Sequence, residues 1–389
     1  MKAAGIIAEF NPFHNGHEYL VRAARAGGYD AVAAVMSGNF VQRGGCAVCD
    51  KFTRAKAAVM NGVDIVFELP QAFALSGAER FARGGVTVLG SLGCIDTLVF
   101  GSECGDIGLL KSAADVDILN AVPVLMRQGL SYPKAVHRAL SDELGGECAE
   151  RISSPNDMLG VEYIRAIKFL QIGVRPFCIK RTGAGHDSDI SSGQFASASM
   201  IREIIKNGGD ISPYVPSSTL PLLRDAVNSG RCPADMKHNE RGVLAVLRSM
   251  TAADIARLPD VSEGLEHRIY KAVRGSVTLD EVISRTVCAR YTAARVRRII
   301  TCAYLGITSE TAKREPSYIR VLAYNEKGIE ILRTMKQTAR LPVLMKARDI
   351  KNNPSELLEA DLRAGDLYAL CLPTAARCGD DHYIGAVRV

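Results

Sequence analysis

The chain has 389 residues, a length that allows two or three domains. Of these residues 47% are hydrophobic and 23% are charged, proportions typical of a globular protein. No apolar run approaches the roughly 18 residues that a transmembrane helix needs, so the sequence predicts no membrane span. The first apolar run, residues 3–8, is interrupted by Glu9 too early for a signal peptide. Eleven cysteines without a signal peptide favour reduced thiols and a cytoplasmic location.

The positive charge of the chain is concentrated in one window, residues 265–314. This window contains ten lysines and arginines against four acids, a surplus equal to the net charge of +6 of the whole chain. Such a surplus attracts polyanions, so the window is where we expect an RNA partner to bind. A solvated helix face is the alternative explanation for a run of like charges.

Short apolar strands alternate with helices in the first hundred residues. Strands are predicted over residues 3–9, 30–36, 64–69 and 97–101, and helices over residues 18–26, 51–61 and 78–89. This alternation predicts an α/β fold with a parallel sheet covered by helices on both faces. Ligands of such sheets bind at the carboxyl ends of the strands.

Residues 9–17, with the sequence Glu-Phe-Asn-Pro-Phe-His-Asn-Gly-His, join the first predicted strand to the first predicted helix. The first N–H groups of a helix have no intrahelical partner, and the helix dipole favours an anion there. His14 and His17 add two donors on nearly the same side, and Gly16 lets a ligand approach the backbone closely. The pattern predicts a phosphate site. A buried structural histidine and a His-x-x-His zinc pair are the alternatives.

Helices are predicted over residues 107–170, with a break at residues 145–146, followed by a fifth strand over residues 174–180. Ser154 and Pro155 are the types of residue that cap and begin a helix. The polar loop at residues 185–189 is expected to be mobile.

A second phosphate site is predicted where the next helix begins, near residue 197. Ser197 and Ser199 are both suitable caps, and Arg202 lies one turn into the helix. Free N–H groups, a hydroxyl group and a guanidinium group together suit a phosphate. Because this site follows the fifth strand of the same sheet, the two phosphate sites together suit a triphosphate.

The composition changes near residue 209, which we predict to be a domain boundary. Residues 210–389 are predicted to be mainly helical and to end, from residue 317, in a small α/β segment packed on the helical part. The clearest helix, residues 292–305, carries several arginines of the basic window. Tyr291 and Tyr304 are candidates for stacking on RNA bases.

The string at residues 9–17 contains the His-x-Gly-His motif of the nucleotidyltransferase superfamily and resembles the bacterial tRNA(Met) cytidine acetate ligase family. Residues 154–160, 195–202 and 290–298 also resemble segments of this family or its superfamily. The resemblance implies a Rossmann-like nucleotidyltransferase domain over residues 1–209 and a tRNA-binding region over residues 210–389. It implies an enzyme that uses ATP, with Mg²⁺, to convert acetate to acetyl-adenylate. The acetyl group would then pass to the wobble cytidine of elongator tRNA(Met), giving N4-acetylcytidine.

The resemblance also assigns roles to individual residues. His14 and His17 would be catalytic, stabilising charge on the α-phosphate, while Arg202 and Mg²⁺ would contact the β- and γ-phosphates. The implied ATP-binding residues are Ile7, Ala8, Glu9, Phe10, Asn11, Pro12, Phe13, His14, Asn15, Gly16, His17, Glu18, Tyr19, Leu20, Gly101, Asn156, Arg181, Ser199 and Arg202. The tRNA-binding residues are predicted to be Arg285, Arg290, Arg295 and Arg298. No metal-ligating residue is predicted.

Two other functions are compatible with the residues. One is a small-molecule adenylyltransferase, although such enzymes usually lack the basic second region. The other is a non-catalytic RNA-binding protein on a nucleotidyltransferase fold, although both phosphate signatures are intact. No general base for the acetyl transfer is identified from the sequence.

Overall fold

The computed structural model describes residues 1–130, 132–181, 195–262 and 264–389. The polar loop predicted at residues 185–189 lies outside these ranges. Within them, no helix has both the length and the apolar composition needed to cross a membrane.

Ten strands are present in the described ranges, and eight of them form one sheet. Their bounds are β1 Ala3–Ala8, β2 Ala31–Ser37, β3 Phe40–Val41, β4 Gly45–Cys46, β5 Ile65–Leu69, β6 Thr97–Ser102, β7 Arg175–Lys180, β8 Ile319–Tyr324, β9 Val343–Leu344 and β10 Val387–Arg388. The order in the sheet is β10-β8-β5-β2-β1-β6-β7, with β9 also paired to β8. The remaining two strands, β3 and β4, form an antiparallel hairpin.

The helices cover both faces of the sheet and form most of the region after residue 197. They are α1 Asn15–Ala26, α2 Lys51–Met60, α3 Gln71–Ala74, α4 Ala78–Leu92, α5 Ile107–Asp115, α6 Ile118–Arg127, α7 Tyr132–Leu144, α8 Gly146–Arg151, α9 Pro155–Leu170, α10 Ala198–Lys206, α11 Thr219–Asn228, α12 Glu240–Ser249, α13 Ala252–Ala256, α14 Leu265–Arg274, α15 Leu279–Thr286, α16 Ala293–Leu305, α17 Ser309–Lys313, α18 Glu326–Thr338, α19 Ala347–Asn352, α20 Glu356–Tyr368 and α21 Asp380–Tyr383.

The Rossmann-like sheet predicted for the first part of the chain is confirmed. Strands β1, β2, β5, β6 and β7 begin and end within one residue of the predicted positions, and their pairings are all parallel. Each residue of β2 is buried, as expected for a central strand covered on both faces. From β1 the chain moves outward through β2 to β5 and then returns to β6 on the other side of β1. Such a reversal opens a crevice at the carboxyl ends of the strands.

The C-terminal α/β segment does not form a layer of its own on the helical part, so that expectation is wrong. Strand β8 pairs antiparallel with β5, with Glu68 opposite Arg320, and β10 extends the same sheet beyond β8. The sheet therefore draws strands from both sides of the domain boundary predicted at residue 209. The boundary itself stays a prediction.

A buried ionic cluster fastens the C-terminal segment to the nucleotidyltransferase sheet. Lys51 lies 2.7 Å from both Glu68 and Asp381, and Arg320 lies 2.8 Å from Asp381 and 3.4 Å from Glu68. All four residues are at most 3% exposed. Burial, and then the charge of Glu68, raise the pKa of the neighbouring Asp361 to about 7. Each ion of this cluster depends on its partners because water cannot replace them.

Replacing Arg320 with methionine is therefore expected to destabilise the fold by about 3–5 kcal/mol, because it leaves two buried carboxylates with Lys51 as their one cation in the cluster. The matched control is Arg388→Met, which breaks the exposed pair between Arg388 and Glu326 in the same segment. Urea unfolding at neutral pH measures both variants. Equal effects of the two substitutions would show that the buried cluster does not hold the segment in place.

Candidate active site

The carboxyl ends of β1, β6 and β7 border a cavity of about 870 Å³. Thirteen residues predicted to bind ATP lie on its described lining: Ile7, Ala8, Glu9, Phe10, Asn11, His14, Gly16, His17, Tyr19, Leu20, Gly101, Asn156 and Arg181. The other lining residues are Gln42, Arg43, Gly77, Ala78, Phe81, Phe100, Tyr132, Pro155, Met158, Leu159, Tyr163, Ile179, Lys180, Phe195, Ala196, Ser197, Ala198, Ala294 and Arg298. The volume suits a nucleotide, since small-ligand sites typically measure about 300–1,000 Å³.

Arg54 on α2 joins the loop after β1, which lines this cavity, to the loops that follow β2 and precede α2. Its guanidinium group donates to the carbonyl oxygens of Glu9 at 2.6 Å, Ser37 at 3.1 Å and Cys49 at 2.9 Å, and also to that of Gly38. The side chain is 1% exposed. Nothing in the sequence pattern distinguishes Arg54 from a surface arginine of an amphipathic helix, and the prediction missed it.

The loop between β1 and α1 has an unusual backbone conformation and is packed against side chains and backbone groups around it. Phe10 adopts a φ of 45°, a left-handed conformation that a residue with a side chain rarely takes outside functional loops. The side chain of Asn11 accepts a hydrogen bond from the backbone N–H of Val48 at 2.7 Å. Behind the loop, the rings of Phe10 and Phe13 lie 5.0 and 5.5 Å from that of His17. The two histidines are thus presented on a rigid base.

The imidazole rings of His14 and His17 are stacked, with 3.8 Å between their centroids. His14 is the N-cap of α1, and its Nδ1 accepts from the backbone N–H of Gly16 at 3.1 Å. His17 Nδ1 accepts from the backbone N–H of His14 at 3.3 Å. Because each Nδ1 is an acceptor, the ring proton of each neutral imidazole resides on Nε2, which becomes a donor.

Both imidazoles are neutral at physiological pH. Burial, followed by the charge of Arg181, lowers the pKa of His14 to about 4. Burial, followed by His14, lowers the pKa of His17 well below its usual range. The pair therefore offers two uncharged N–H donors at the positive end of a helix, an arrangement that suits a phosphate.

Glu103 connects two predicted ATP ligands that come from different elements. Its carboxylate accepts from the side-chain amide of Asn156 at 2.6 Å and lies 3.2 Å from Nε of Arg181. The hydroxyl group of Ser154 donates to the same carboxylate at 2.6 Å and also caps α9, as predicted. Glu103 thus orients Asn156 and Arg181 on the rim of the cavity.

Only some residues of the second predicted phosphate site lie at the cavity. Ser197 caps α10 and lies on the cavity lining, but Ser199 and Arg202 do not lie on it. Instead, Arg202 donates to the carbonyl oxygen of Asn11 at 2.8 Å, behind the motif loop. The predicted contact of Arg202 with the β- and γ-phosphates stays a prediction.

Four further residues of the predicted ATP set lie outside the lining. Pro12 and Phe13 are buried beneath the loop. The side chain of Asn15 donates to the carbonyl oxygen of Pro213, and Glu18 pairs with Arg22 on the surface of α1. These residues shape or flank the motif.

The predicted tRNA-binding arginines divide into two groups. Arg285 and Arg290 are exposed. Arg295 donates to the carbonyl oxygen of Asp260 at 2.7 Å, and Arg298 lies 3.3 Å from the carboxylate of Asp260 and lines the cavity. Asp260 therefore contacts both of these α16 arginines.

The two tyrosines expected to stack on bases are buried, so that expectation is wrong. Tyr291 is 6% exposed and Tyr304 is 5% exposed. The hydroxyl group of Tyr304 donates to the carbonyl oxygen of Leu367 at 3.0 Å, which fixes it inside the helical region.

The basic helix α16 lines the cavity with Ala294 and Arg298 and also packs against the β3–β4 hairpin. The hydroxyl group of Thr301 donates to the carbonyl oxygen of Gly44 at 3.0 Å. Gly44 has a φ of 78°, and a Cβ atom there would lie 2.4 Å from the backbone nitrogen of Arg298. Only glycine fits this approach, which places Arg43 and Arg298 on the lining of one cavity.

Within the described parts of the chain, no group of three His, Cys, Asp or Glu residues is arranged to hold a metal ion. Cys46 and Cys49 are free thiols, and burial raises the pKa of each. A buried thiol with a raised pKa is a poor nucleophile.

Comparison with known proteins agrees with the resemblance noted in the sequence. The model of the HIGH nucleotidyl transferase family matches residues 1–381. A tRNA(Met) cytidine acetate ligase of Caldanaerobacter subterraneus is 39% identical over 384 residues, which cover 95% of each chain. This chain belongs to the tRNA(Met) cytidine acetate ligase family. A second member, from Caldicellulosiruptor saccharolyticus, is 38% identical over 95% of this chain and 94% of its own length.

The fold of the family is confirmed by a solved structure. Thermotoga maritima TmcAL, in a crystal structure with bound alpha-thio ATP, matches with a TM-score of 0.91 and 31% identity over the whole of both chains. The apo form of the same protein matches with a TM-score of 0.92. The likeness covers the helical region and the C-terminal strands as well as the nucleotidyltransferase sheet.

The low pKa of His14 predicts a specific dependence of stability on pH. Between about pH 6.5 and pH 4, His14 is protonated in the unfolded chain but stays neutral in the folded protein. Because the unfolded state binds the additional proton, acidification lowers the unfolding free energy in this window. His14→Asn keeps a capping side chain but removes this titration. The unfolding free energy of the wild type is expected to fall by about 3 kcal/mol more than that of the variant between pH 7 and pH 4. Urea titrations across this range test it, and parallel curves would contradict the assignment.

Proposed function

We propose that this protein is an ATP-dependent ligase that activates acetate and acetylates the wobble cytidine of elongator tRNA(Met), giving N4-acetylcytidine. Membership of the family supports the reaction as a whole. The observation that carries the proposal is the position of α16: this helix, which bears the basic segment, lines the cavity that also contains the stacked histidines. An enzyme for a small acceptor has no evident need for a basic helix at its nucleotide site.

In the first step, an acetate oxygen attacks the α-phosphorus of ATP, a P–O bond to the β-phosphate breaks and pyrophosphate leaves. Negative charge grows on the non-bridging oxygens of the α-phosphate and on the leaving group. The Nε2–H groups of His14 and His17 are donors that can stabilise this charge without a change in their own protonation. Because they are fixed by backbone N–H groups, they need little reorganisation as the reaction proceeds.

The charge of the triphosphate has to be offset as well. Arg181 and Arg298 reach the cavity from opposite parts of the chain, and the N-terminus of α10 adds free N–H groups. Mg²⁺ would enter with the nucleotide. Its usual ligands at such sites are phosphate oxygens and water, which agrees with a lining that has one carboxylate among its described residues. The ion would offset charge on the phosphates.

In the second step, the cytidine N4 amine attacks the acyl carbon of acetyl-adenylate and AMP leaves. The tRNA has to bring its anticodon to the mouth of the cavity. Exposed Arg285, Arg290 and Arg297, close to α16 or on it, offer contacts for the RNA backbone. A cytoplasmic location follows if tRNA is the acceptor.

The first test is exchange of labelled pyrophosphate into ATP, measured with and without acetate. We expect acetate-dependent exchange in the wild type and a decrease of about 10²–10³-fold in His17→Ala, because one phosphate donor is removed. Affinity for tRNA should stay within twofold of the wild type, on the order of the error of such assays.

The control for this variant is His137→Ala, which changes a half-buried histidine outside the cavity lining. It should retain the wild-type exchange rate. Exchange by the wild type without acetate, or near-normal exchange by His17→Ala, would contradict the proposal.

The second test concerns the basic segment. Arg290→Ala should weaken tRNA binding and reduce the slope of log affinity against log salt by about one unit if one phosphate contact is lost. Acetate-dependent exchange should be unchanged, because activation does not involve the RNA. Filter binding across a range of salt concentrations measures the slope.

Arg333→Ala is the matched control, since Arg333 is an exposed arginine on α18, a helix without residues on the cavity lining. Its binding curves should coincide with those of the wild type. If the Arg290→Ala curves do so as well, the RNA surface lies elsewhere on the molecule.

A further inference from the structure

Glu9 is the one carboxylate on the described lining of the cavity. It follows the last residue of β1, directly before the loop that presents His14 and His17. Its main-chain oxygen is held by Arg54 at 2.6 Å. Glu9 is therefore at the switch point of the sheet, where ligands of such folds bind.

The carboxylate is held in place without being neutralised by a direct ion pair. Oε1 accepts from the backbone N–H of Gln42 at 2.9 Å. No lysine or arginine in the described ranges forms an ion pair with it, although Arg202, Arg54 and Arg43 act on it at longer range. Burial outweighs these charges and raises the pKa of Glu9, and Tyr163 is a further titratable neighbour.

The other titratable groups on the lining are poorly suited to accept a proton. The phenols of Tyr19 and Tyr132 carry a hydroxyl proton and act as donors, and burial raises the pKa of Tyr132. His14 and His17 carry the ring proton on Nε2, and their Nδ1 atoms already accept backbone hydrogen bonds. Burial raises the pKa of Tyr163, which makes the phenol a weaker acid and keeps it protonated. Arg43, Lys180, Arg181 and Arg298 are cations. Glu9 is left as the base by this comparison.

We infer that Glu9 is the general base of the acetyl transfer, accepting a proton from the N4 amine of the cytidine as that nitrogen attacks acetyl-adenylate. The inference rests on the proposed function. A C–N bond forms, the bond between the acyl carbon and the phosphate oxygen breaks, and AMP leaves with its electron pair. The proton passes from nitrogen to the Glu9 carboxylate and then to solvent. A carboxylate is also a natural hydrogen-bond acceptor for the amino group of cytosine.

The test separates the two steps in one preparation. Glu9→Gln keeps the size of the side chain and an oxygen for the Gln42 N–H group, but it cannot accept the proton. In single turnover with chemically prepared acetyl-adenylate and elongator tRNA(Met), we expect transfer to slow by about 10²–10⁴-fold. Acetate-dependent exchange of pyrophosphate should change by less than about tenfold, because that step transfers no proton. Both rates are normalised to the fraction of protein that binds ATP, so that misfolded protein does not enter.

The pH profile provides a readout that a structural role would not change. The wild-type transfer rate should fall as acid protonates Glu9, whereas the residual rate of Glu9→Gln should lack this limb. Formate added to Glu9→Ala should restore part of the transfer rate by acting as a base in the vacated space. Glu203→Gln is the control, because it removes the same charge near Arg202 from an exposed position on α10.

Several outcomes would overturn the inference. One is acetyl transfer by Glu9→Gln at the wild-type rate, and another is an equal decrease in transfer and in pyrophosphate exchange after both rates are normalised. The others are a pH profile of Glu9→Gln that keeps the acid limb of the wild type, and recovery of the Glu9→Gln transfer rate by excess Mg²⁺. Failure of the wild type to form acetyl-adenylate or to acetylate the tRNA would instead overturn the proposed function, and this inference with it.

Discussion

The geometry of the site depends on one buried cation. The guanidinium group of Arg54 binds carbonyl oxygens at the ends of β1 and β2 and in the loop before α2. Three of these carbonyl groups, those of Glu9, Gly38 and Cys49, belong to residues outside the strands. A carbonyl group without a partner in the interior is costly, so Arg54 stabilises the loops that carry them. Five donors in a planar fork can serve several acceptors at once, which lysine cannot do. The loops that carry Glu9, the hairpin and the histidines are therefore held from one point.

A second constraint comes from outside the nucleotidyltransferase part of the chain. Arg320 and Asp381 complete the ionic cluster around Lys51 and Glu68, directly below the loops that follow β2 and β5. From the helical region, α16 supports the hairpin at Gly44. The nucleotide site is thus assembled from the whole chain, in agreement with relatives that match over nearly their full length.

Local patterns were sufficient to predict the central strands, the motif loop and the caps at Ser154 and Ser197. Each of these depends on residues within a few positions of one another, and runs of buried β-branched or small residues have few alternatives. Pairing of β8 with β5, the four-carbonyl role of Arg54 and the partnership of Asp260 with the α16 arginines were not predictable in this way. They join residues far apart in sequence, and no local signal marks either partner.

The same reasoning explains which parts of the site prediction failed. A segment with tyrosines beside arginines has the composition of an RNA-binding surface. Tyr304 is nevertheless buried and hydrogen-bonded within the helical region. Composition reports which residues are near in sequence, whereas exposure is decided by tertiary contacts. The position of the histidine pair on the cavity lining was predictable because His14 and His17 lie three residues apart, in and beside the cap of one helix.

The pairing of β5 with β8 also has a consequence for how the protein is made. A ribosome releases β1, β2, β5, β6 and β7 before it has synthesised the helical region at residues 198–313, and β8 follows only after that. During this interval the open edge of β5 has no strand partner, and the pair of Lys51 and Glu68 lacks Arg320 and Asp381, which complete the ionic cluster. Exposed strand edges recruit other strands, so the nascent chain passes through a stage at which it is prone to aggregate. Translation speed across the helical region, and chaperones that cover the β5 edge, are thus factors in the yield of folded enzyme.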